Sequence, residues 1–182
     1  MLARLKGGRV CAGLAIERRS CFSHWRECVN QSTLFQKLGA PLANNRWSWG
    51  AVRSDGTVFL RVWKDRIRIH DGSHFVQVTH HKSHDSDTPA NPGHRERLEH
   101  VSRIQGGAPC YLIICEAEDT ESRPRRVQCF NELEVFPGGR VAELDGEQWV
   151  EQLPGVPVDE VAPSPVEERT QPSTAVDRRR PQ

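Results

Sequence analysis

The stretch WSWGAVRSDGTVFLRVW, residues 47–63, decides the fold. It holds two runs rich in β-branched and aromatic residues, residues 47–52 and 57–64, with Asp55-Gly56 between them. An Asp-Gly pair between two such runs predicts a β-hairpin, because the primed turns of hairpins need positive φ angles that Gly and Asp tolerate. We therefore expect Asp55-Gly56 to form a two-residue turn.

This turn fixes a register that divides the hairpin into two faces. It places Val52 opposite Phe59, since side chains alternate along each strand. One face then has a core composition: Trp47, Trp49, Ala51, Val58, Leu60 and Val62. The other face sets large groups over small ones: Ser48, Gly50, Val52, Phe59, Arg61 and Trp63. The second face fits a cleft, and it also fits a sheet covered by a helix.

Outside the hairpin, the apolar spacing predicts a short helix over residues 32–39 and a longer one over residues 92–105 that starts at Asn91-Pro92-Gly93. The almost continuously apolar residues 111–115 predict a strand buried on both faces at the centre of the sheet. Further short strands are expected at residues 66–69, 74–78, 127–130, 135–136, 140–144 and 148–150. The sequence thus predicts an α+β fold with a curled, barrel-like mixed sheet and two or three flanking helices.

Composition sets the domain limits. Six of the 12 prolines fall in residues 154–182, which we expect to be a disordered tail, and residues 1–29 read as an N-terminal extension that is poorly ordered or partly helical. The folded domain is then residues 30–153.

The longest near-apolar run, residues 10–16, is too short to cross a bilayer, and we expect a cytoplasmic protein. The 25 Lys/Arg against 24 Asp/Glu exclude a purely electrostatic polyanion binder.

Catalytic motifs are absent from the sequence. It contains no GxSxG, Walker or GxGxxG motif, and the six cysteines form no CxxC pair, so we expect a non-enzyme without a cofactor. The loop from His80 to Asp87 offers His and Asp side chains that metals use, which leaves a metal-dependent hydrolase as an alternative. The letters of an HNH nuclease are present, but a proline-bearing loop separates the His80-His81 pair from the following helix.

The distribution of charge carries more information than its total. Residues 46–103 hold ten Lys/Arg, seven Asp/Glu and seven histidines, whereas residues 104–153 hold four Lys/Arg and ten Asp/Glu. Within the basic half, arginines alternate with aromatic residues, as in proteins that contact phosphates and stack bases. The candidate nucleic-acid-binding residues are Arg46, Trp47, Trp49, Arg61, Trp63, Arg66, Arg68, Arg95 and Arg97. In the plainer alternative, the tryptophans belong to the core and the arginines to a solvated surface.

Several of these residues carry a family resemblance. Residues 34–40 (LFQKLGA), 45–52 (NRWSWGAV), 61–63 (RVW) and 93–100 (GHRERLEH), with residues 111–116 and 130–133, resemble a small bacterial domain found beside HNH nuclease modules of McrA-like, modification-dependent restriction systems. The resemblance implies a PUA-like fold, similar to SRA, EVE and YTH domains. It also implies that Trp47, Trp49 or Trp63 walls a pocket for a modified base, and that Arg46, Arg61 and Arg95 contact phosphates.

The resemblance implies a reader of modified cytosine in DNA that works by base flipping. No HNH module follows in the sequence, so a separately encoded nuclease is the expected partner. Two other functions stay open at this point: the metal-dependent phosphodiesterase, and a non-catalytic scaffold that binds RNA or protein. No membrane partner is expected.

Overall fold

A computed structural model describes residues 29–79, 91–122 and 124–163. The helices are α1 (Gln31–Lys37), α2 (Pro92–Gln105) and α3 (Val158–Val161), and Lys64–Arg66 form a 3-10 turn. The strands are β1 (Gly50–Val52), β2 (Val58–Trp63), β3 (Ile67–His70), β4 (Ser73–Gln77), β5 (Cys110–Ala117), β6 (Val127–Phe130), β7 (Glu134–Leu144), β8 (Glu147–Gln152) and β9 (Val156–Pro157). None of the helices described is long and apolar enough to cross a membrane.

The strands form one mixed sheet in the order β1-β2-β5-β7-β8-β4-β3, with β6 added to β5 and β9 added to β7. Only β2 and β5 pair in parallel among the described strands, and the longer connection between them contains α2. This confirms the α+β class and the central position of the apolar strand over residues 111–115. The end strands β1 and β3 do not pair with each other in the described structure. The barrel-like closure stays a prediction.

Two hydrophobic clusters lie on opposite faces of β2 and β5, because both strands are apolar on each face. The first cluster packs α1 on the sheet through Leu34, Phe35, Leu38, Phe59 and Ile113. The second cluster packs α2 on the sheet through Leu60, Val101, Ile104, Leu112 and Val150. The second cluster also contains Val76 of β4, so the sheet curves around it. Each helix covers one face.

The predicted two-residue turn of the central hairpin is wrong. Ala51 pairs with Phe59, one residue away from the expected register, and the backbone N–H of Arg53 donates to the carbonyl of Thr57 at 2.9 Å. The loop therefore has three residues, and Gly56 takes the positive φ of 88°. The Asp55 carboxylate holds this longer loop by accepting from the Thr57 backbone and pairing with Arg53 at 2.7 Å.

This one-residue shift moves the side chains of β1 to the other face relative to β2. Ala51 joins Phe59 in the first cluster, with Trp63 packed against it. The face that carries Arg61 and Trp63 is accordingly covered by α1. Of the two explanations for this face that the sequence left open, a covering helix is correct.

The other elements follow the predictions closely, with one exception. Helix α2 has the predicted bounds, and Asn91 caps it by accepting from the Gly93 N–H at 2.9 Å. Residues 135–136 and 140–144, predicted as two separate strands, belong to one continuous strand, β7, with a bulge between Gly138 and Val141. The Cys110 sulfur occupies the space that a Cβ on Gly138 would need, and the Glu151 carboxylate accepts from the backbone N–H of Arg140.

The folded domain extends beyond the predicted boundary at residue 153. Residues Val156–Pro157 pair with β7, and Val158, which begins α3, is 1% exposed within the first cluster. Helix α3 also accepts a hydrogen bond from Arg53 through the carbonyl of Val161. The short apolar segment in the proline-rich tail thus completes the core. The predicted N-terminal extension up to residue 28 and the rest of the tail lie outside the described residues.

Candidate functional site

Helix α2 is fastened to the segment that enters β1. The Glu96 carboxylate accepts from the Ser48 hydroxyl at 2.8 Å and from the Trp49 backbone N–H at 3.1 Å. The next residue, Arg97, donates from Nη2 to the carbonyl oxygens of Trp49 at 2.6 Å and Arg61 at 2.7 Å. Two of the sequence stretches that carry the resemblance, residues 45–52 and 93–100, are therefore in direct contact.

Arg97 lies inside the protein, where it joins three elements. Its side chain is 2% exposed, and its Nε is buried without a hydrogen-bond partner. Burial lowers its pKa to about 9, and the charge of Arg61 adds to this effect. This placement corrects the interpretation of Arg97 as a surface phosphate contact, because the guanidinium is committed to backbone carbonyls.

His100 lies one helical turn beyond Glu96 and packs against Gly50. A Cβ on Gly50 would lie 2.5 Å from the carbonyl of Phe59 and 3.0 Å from Nδ1 of His100, so only glycine fits there. Burial, with the nearby charges of Arg97 and Arg103, lowers the pKa of His100 to about 4. His100 is therefore a neutral side chain at physiological pH.

Three exposed arginines surround this junction. Arg46 precedes β1, and Arg95 and Arg103 lie on the outer side of α2, about 12 Å apart along the helix axis. In the described part of the chain none of the three makes an ion pair. Most other surface cations do, for example Lys37 with Asp159 at 2.8 Å. The surface formed by Arg46, Arg95 and Arg103, hereafter the α2 surface, has excess positive charge.

Two tryptophans lie at the same end of α2. Trp47 and Trp49 are both partly exposed. Gly93 makes their close approach possible, since a Cβ on it would lie 2.3 Å from the Trp47 carbonyl and 2.8 Å from the Trp49 ring. Contrary to the sequence-based assignment of both to the hairpin core, they are absent from the two hydrophobic clusters among the described residues. They border the α2 surface near Arg46 and Arg95.

Trp63 lies at the other end of β2, between two guanidinium groups. The Cζ atoms of Arg61 and Arg125 are 5.5 Å and 5.3 Å from its ring centroid. Arg125 is held by both carboxylate oxygens of Asp65, at 3.0 Å and 2.7 Å. The partly exposed ring therefore forms a stack with arginines, and an incoming base meets these arginines as well as the ring.

Arg66 and Arg68 belong to a different part of the surface. Arg66 pairs with Asp65 at 3.5 Å, and Arg68 pairs with Asp145 at 2.8 Å. Arg68 also covers the ring of Trp149, with its Cζ 4.0 Å from the centroid. Because each lies beside a carboxylate, which Arg66 shares with Arg125, these two arginines contribute less to a positive surface than Arg46 and Arg95 do.

Metal ligands and cysteine nucleophiles are the groups that could support catalysis. The predicted metal-binding loop from His80 to Asp87 lies outside the described residues. Among the described residues, no group of three or more His, Cys, Asp or Glu side chains is arranged to hold a metal ion. Cys110, Cys115 and Cys129 are buried free thiols, and burial raises the pKa of Cys110 to about 11 and that of Cys115 to about 12. Cys110 and Cys115 are therefore protonated at neutral pH, and a protonated thiol is a poor nucleophile.

Sequence reasoning missed four residues of this region: Gln31, Glu96, Arg103 and Arg125. The Gln31 side chain accepts from Arg61 at 2.8 Å and donates to the Ser48 carbonyl at 2.8 Å. The spacing of Arg95, Glu99 and Arg103 along one helix face was a usable signal for Arg103. No local pattern marks Gln31 or Arg125, since the side chains that pair with them, Arg61 and Asp65, lie 30 and 60 residues away.

Comparison with known proteins adds no assignment. The chain matches no protein-family model, no curated protein and no solved structure.

Proposed function

We propose that this domain binds nucleic acid through the α2 surface, with Arg46, Arg95 and Arg103 at phosphates and Trp47 or Trp49 against a base. The observation that carries the proposal is the lack of carboxylate partners for these arginines in the described structure. Unneutralised guanidiniums attract phosphates, and release of the phosphate counterions drives such binding.

The surrounding charges support the same interpretation. Arg97 lies beneath the α2 surface and adds to its positive potential: burial, and after it the charge of Arg97, lowers the pKa of His100. On the acidic side, Glu96 already accepts two hydrogen bonds from Ser48 and Trp49, and the exposed Glu99 is a single carboxylate on the face that carries Arg95 and Arg103. Guanidinium groups therefore outnumber the carboxylates available to neutralise them.

A reader of modified bases also needs an aromatic surface for the base, and the partly exposed tryptophans supply one. A base taken out of a duplex needs an aromatic surface that compensates for lost stacking, and such stacking contributes about 1–3 kcal/mol per base. Trp49 is held against Gly93, and its backbone is fixed by Glu96 and Arg97, so its ring is oriented before a ligand arrives. The resemblance to PUA-like readers narrows the proposed ligand to DNA with a modified cytosine.

The proposal is tested by fluorescence anisotropy with the full chain. Matched duplexes carrying plain, 5-methyl or 5-hydroxymethyl cytosine, and the corresponding single strands, are titrated at the same salt concentration. We expect tighter binding to a modified duplex, and loss of that preference in Trp47→Ala or Trp49→Ala. The matched control is Phe136→Ala, which removes a partly buried aromatic from β7. Equal affinity for all duplexes contradicts the reader function, and no binding to any of them contradicts nucleic-acid binding.

A further inference from the structure

Arg61 is a partly buried arginine without a counter-charge. The only hydrogen bond of its side chain in the described structure runs from Nη1 to the neutral Gln31 side chain, at 2.8 Å. No carboxylate among the described residues lies within 4.0 Å of it. A guanidinium has five N–H donors, so most of its hydrogen-bonding capacity is unused by the protein.

A second guanidinium lies directly behind Arg61. Arg97 donates to the backbone carbonyl of Arg61 at 2.7 Å, is 2% exposed, and has a buried Nε with no hydrogen-bond partner. Burial lowers the pKa of Arg97, and the like charge of Arg61 lowers it further. Bringing two unpaired cations together away from water is unfavourable, so an anion that reaches this pair gains more than it does at an isolated surface arginine.

The other groups around Arg61 are neutral or already paired. The Trp63 ring lies 5.5 Å from its Cζ, and the Cys115 thiol is uncharged because burial raises its pKa to about 12. The Asp65 carboxylate is held by Arg125. Gln31, which accepts from Arg61, also lines an open depression of about 330 Å³ between α1 and β6, whereas Arg61 itself does not line it.

We propose that Arg61, with Arg97 bound to its backbone carbonyl, is an oxyanion subsite for a phosphate group of the bound nucleic acid. A phosphate accepts two parallel N–H bonds from one guanidinium, and this geometry suits the donors that Arg61 leaves free. The subsite rests on the proposed function, since the phosphate is one next to the base that contacts the tryptophans. It differs from the α2 surface in being partly buried, and it therefore binds a single phosphate without a duplex.

Thermal unfolding of the full chain tests the subsite, with inorganic phosphate as the probe. Phosphate at ten times its dissociation constant is expected to raise the Tm of the wild-type protein by about 3 °C. Arg61→Met should show no such rise, and without phosphate it should melt no lower than wild type because an unpaired charge is gone. Lys37→Gln, which removes a surface cation on α1, should respond like wild type.

A structural role for Arg61 predicts the opposite result. If Arg61 only holds Gln31, Arg61→Met melts lower and keeps its response to phosphate, which would overturn the subsite. NMR of the arginine side-chain N–H groups of the wild-type protein gives a test that needs no variant. Phosphate must shift the Arg61 resonance, and an unmoved resonance also overturns the proposal.

A short oligonucleotide duplex that carries 5-methylcytosine separates the two proposals. Oligonucleotide binding that leaves the Arg61 resonance unmoved overturns the subsite and leaves the proposed function standing. A phosphate shift at Arg61 with no oligonucleotide binding overturns the proposed function, and with it the assignment of this oxyanion to nucleic acid. Both proposals are supported if both probes shift the Arg61 resonance of the wild-type protein and bind more weakly to Arg61→Met.

Discussion

Nη2 of Arg97 lies 2.6 Å from the carbonyl oxygen of Trp49, so helix α2 is fastened from inside the protein to the strand segment that carries the exposed tryptophans. The same atom binds the carbonyl of Arg61 on β2. One buried side chain therefore sets the position of the helix, the segment entering β1 and the central strand. The α2 surface depends on this arrangement.

Replacing Arg97 with Ala should lower the free energy of unfolding by about 2–4 kcal/mol, because the change removes two charge-assisted hydrogen bonds and leaves a cavity. Urea denaturation followed by tryptophan fluorescence measures the change. Arg95→Ala, on the exposed side of the same helix, is the control and should stay within about 0.5 kcal/mol of wild type. Equal stability of the two variants would show that Arg97 does not join these elements.

Gly93→Ala should destabilise the protein by about 1–3 kcal/mol, because a Cβ there would lie 2.3 Å from the carbonyl oxygen of Trp47 and 2.8 Å from the ring of Trp49. The control is Gly106→Ala at the other end of α2, where the nearest atoms would be 3.3 Å and 3.4 Å away. Chemical denaturation compares the two. A Gly93→Ala variant as stable as wild type would mean that the tryptophans do not pack closely on the start of the helix.

The stability of the protein should fall between pH 6.5 and pH 4 because of His100. Burial lowers its folded-state pKa to about 4, so in this range the unfolded state binds a proton that the folded state does not. The effect is on the order of 2 kcal/mol. Urea denaturation at pH 7 and pH 5 should show a smaller difference for His100→Gln than for wild type. The exposed His74→Gln is the control, and an unchanged pH dependence in His100→Gln would contradict the assignment.

Cys110 and Cys115 should resist alkylation in the folded protein. Their pKa values are raised to about 11 and about 12 by burial, so few thiolates form at pH 8.5. Iodoacetamide labelling followed by peptide mass mapping should modify both residues in urea and neither without it. Since the unfolded thiols ionise first, these residues also make stability decline as the pH rises above about 9. Rapid labelling of either residue in the native protein would contradict their burial.

The sequence predicts those parts of the fold that local patterns determine. Helix α2 and the central strand β5 follow from the spacing of apolar residues and from the Asn91-Pro92-Gly93 start signal. The hairpin register does not follow, because the Asp55 side chain caps a loop one residue longer than an Asp-Gly turn. Side-chain to backbone hydrogen bonds of this kind are invisible to a pattern of residue types.

The sequence predicts which residue types form the candidate site, but it does not predict how the fold arranges them. Sequence reasoning grouped Arg46, Arg95 and Arg97 as nucleic-acid-binding residues. In the structure Arg46 and Arg95 are exposed, whereas Arg97 is buried, with only 2% of its surface accessible. On a helix, residues 95 and 97 point in different directions, so only one of them can face the solvent when the helix covers a sheet. Which of the two faces the sheet depends on the docking of α2, and that is a tertiary property.

The central claim is that the unpaired arginines of the α2 surface bind phosphates, and the salt dependence of binding tests it most directly. The affinity of the full chain for a duplex is measured over a series of salt concentrations, for wild type, Arg46→Gln/Arg95→Gln and the control Lys37→Gln. Each lost phosphate contact should reduce the slope of log affinity against log salt by about 0.9. We predict a slope reduced by about 1.8 in the double variant and unchanged in the control. Equal slopes in all three proteins would contradict the claim.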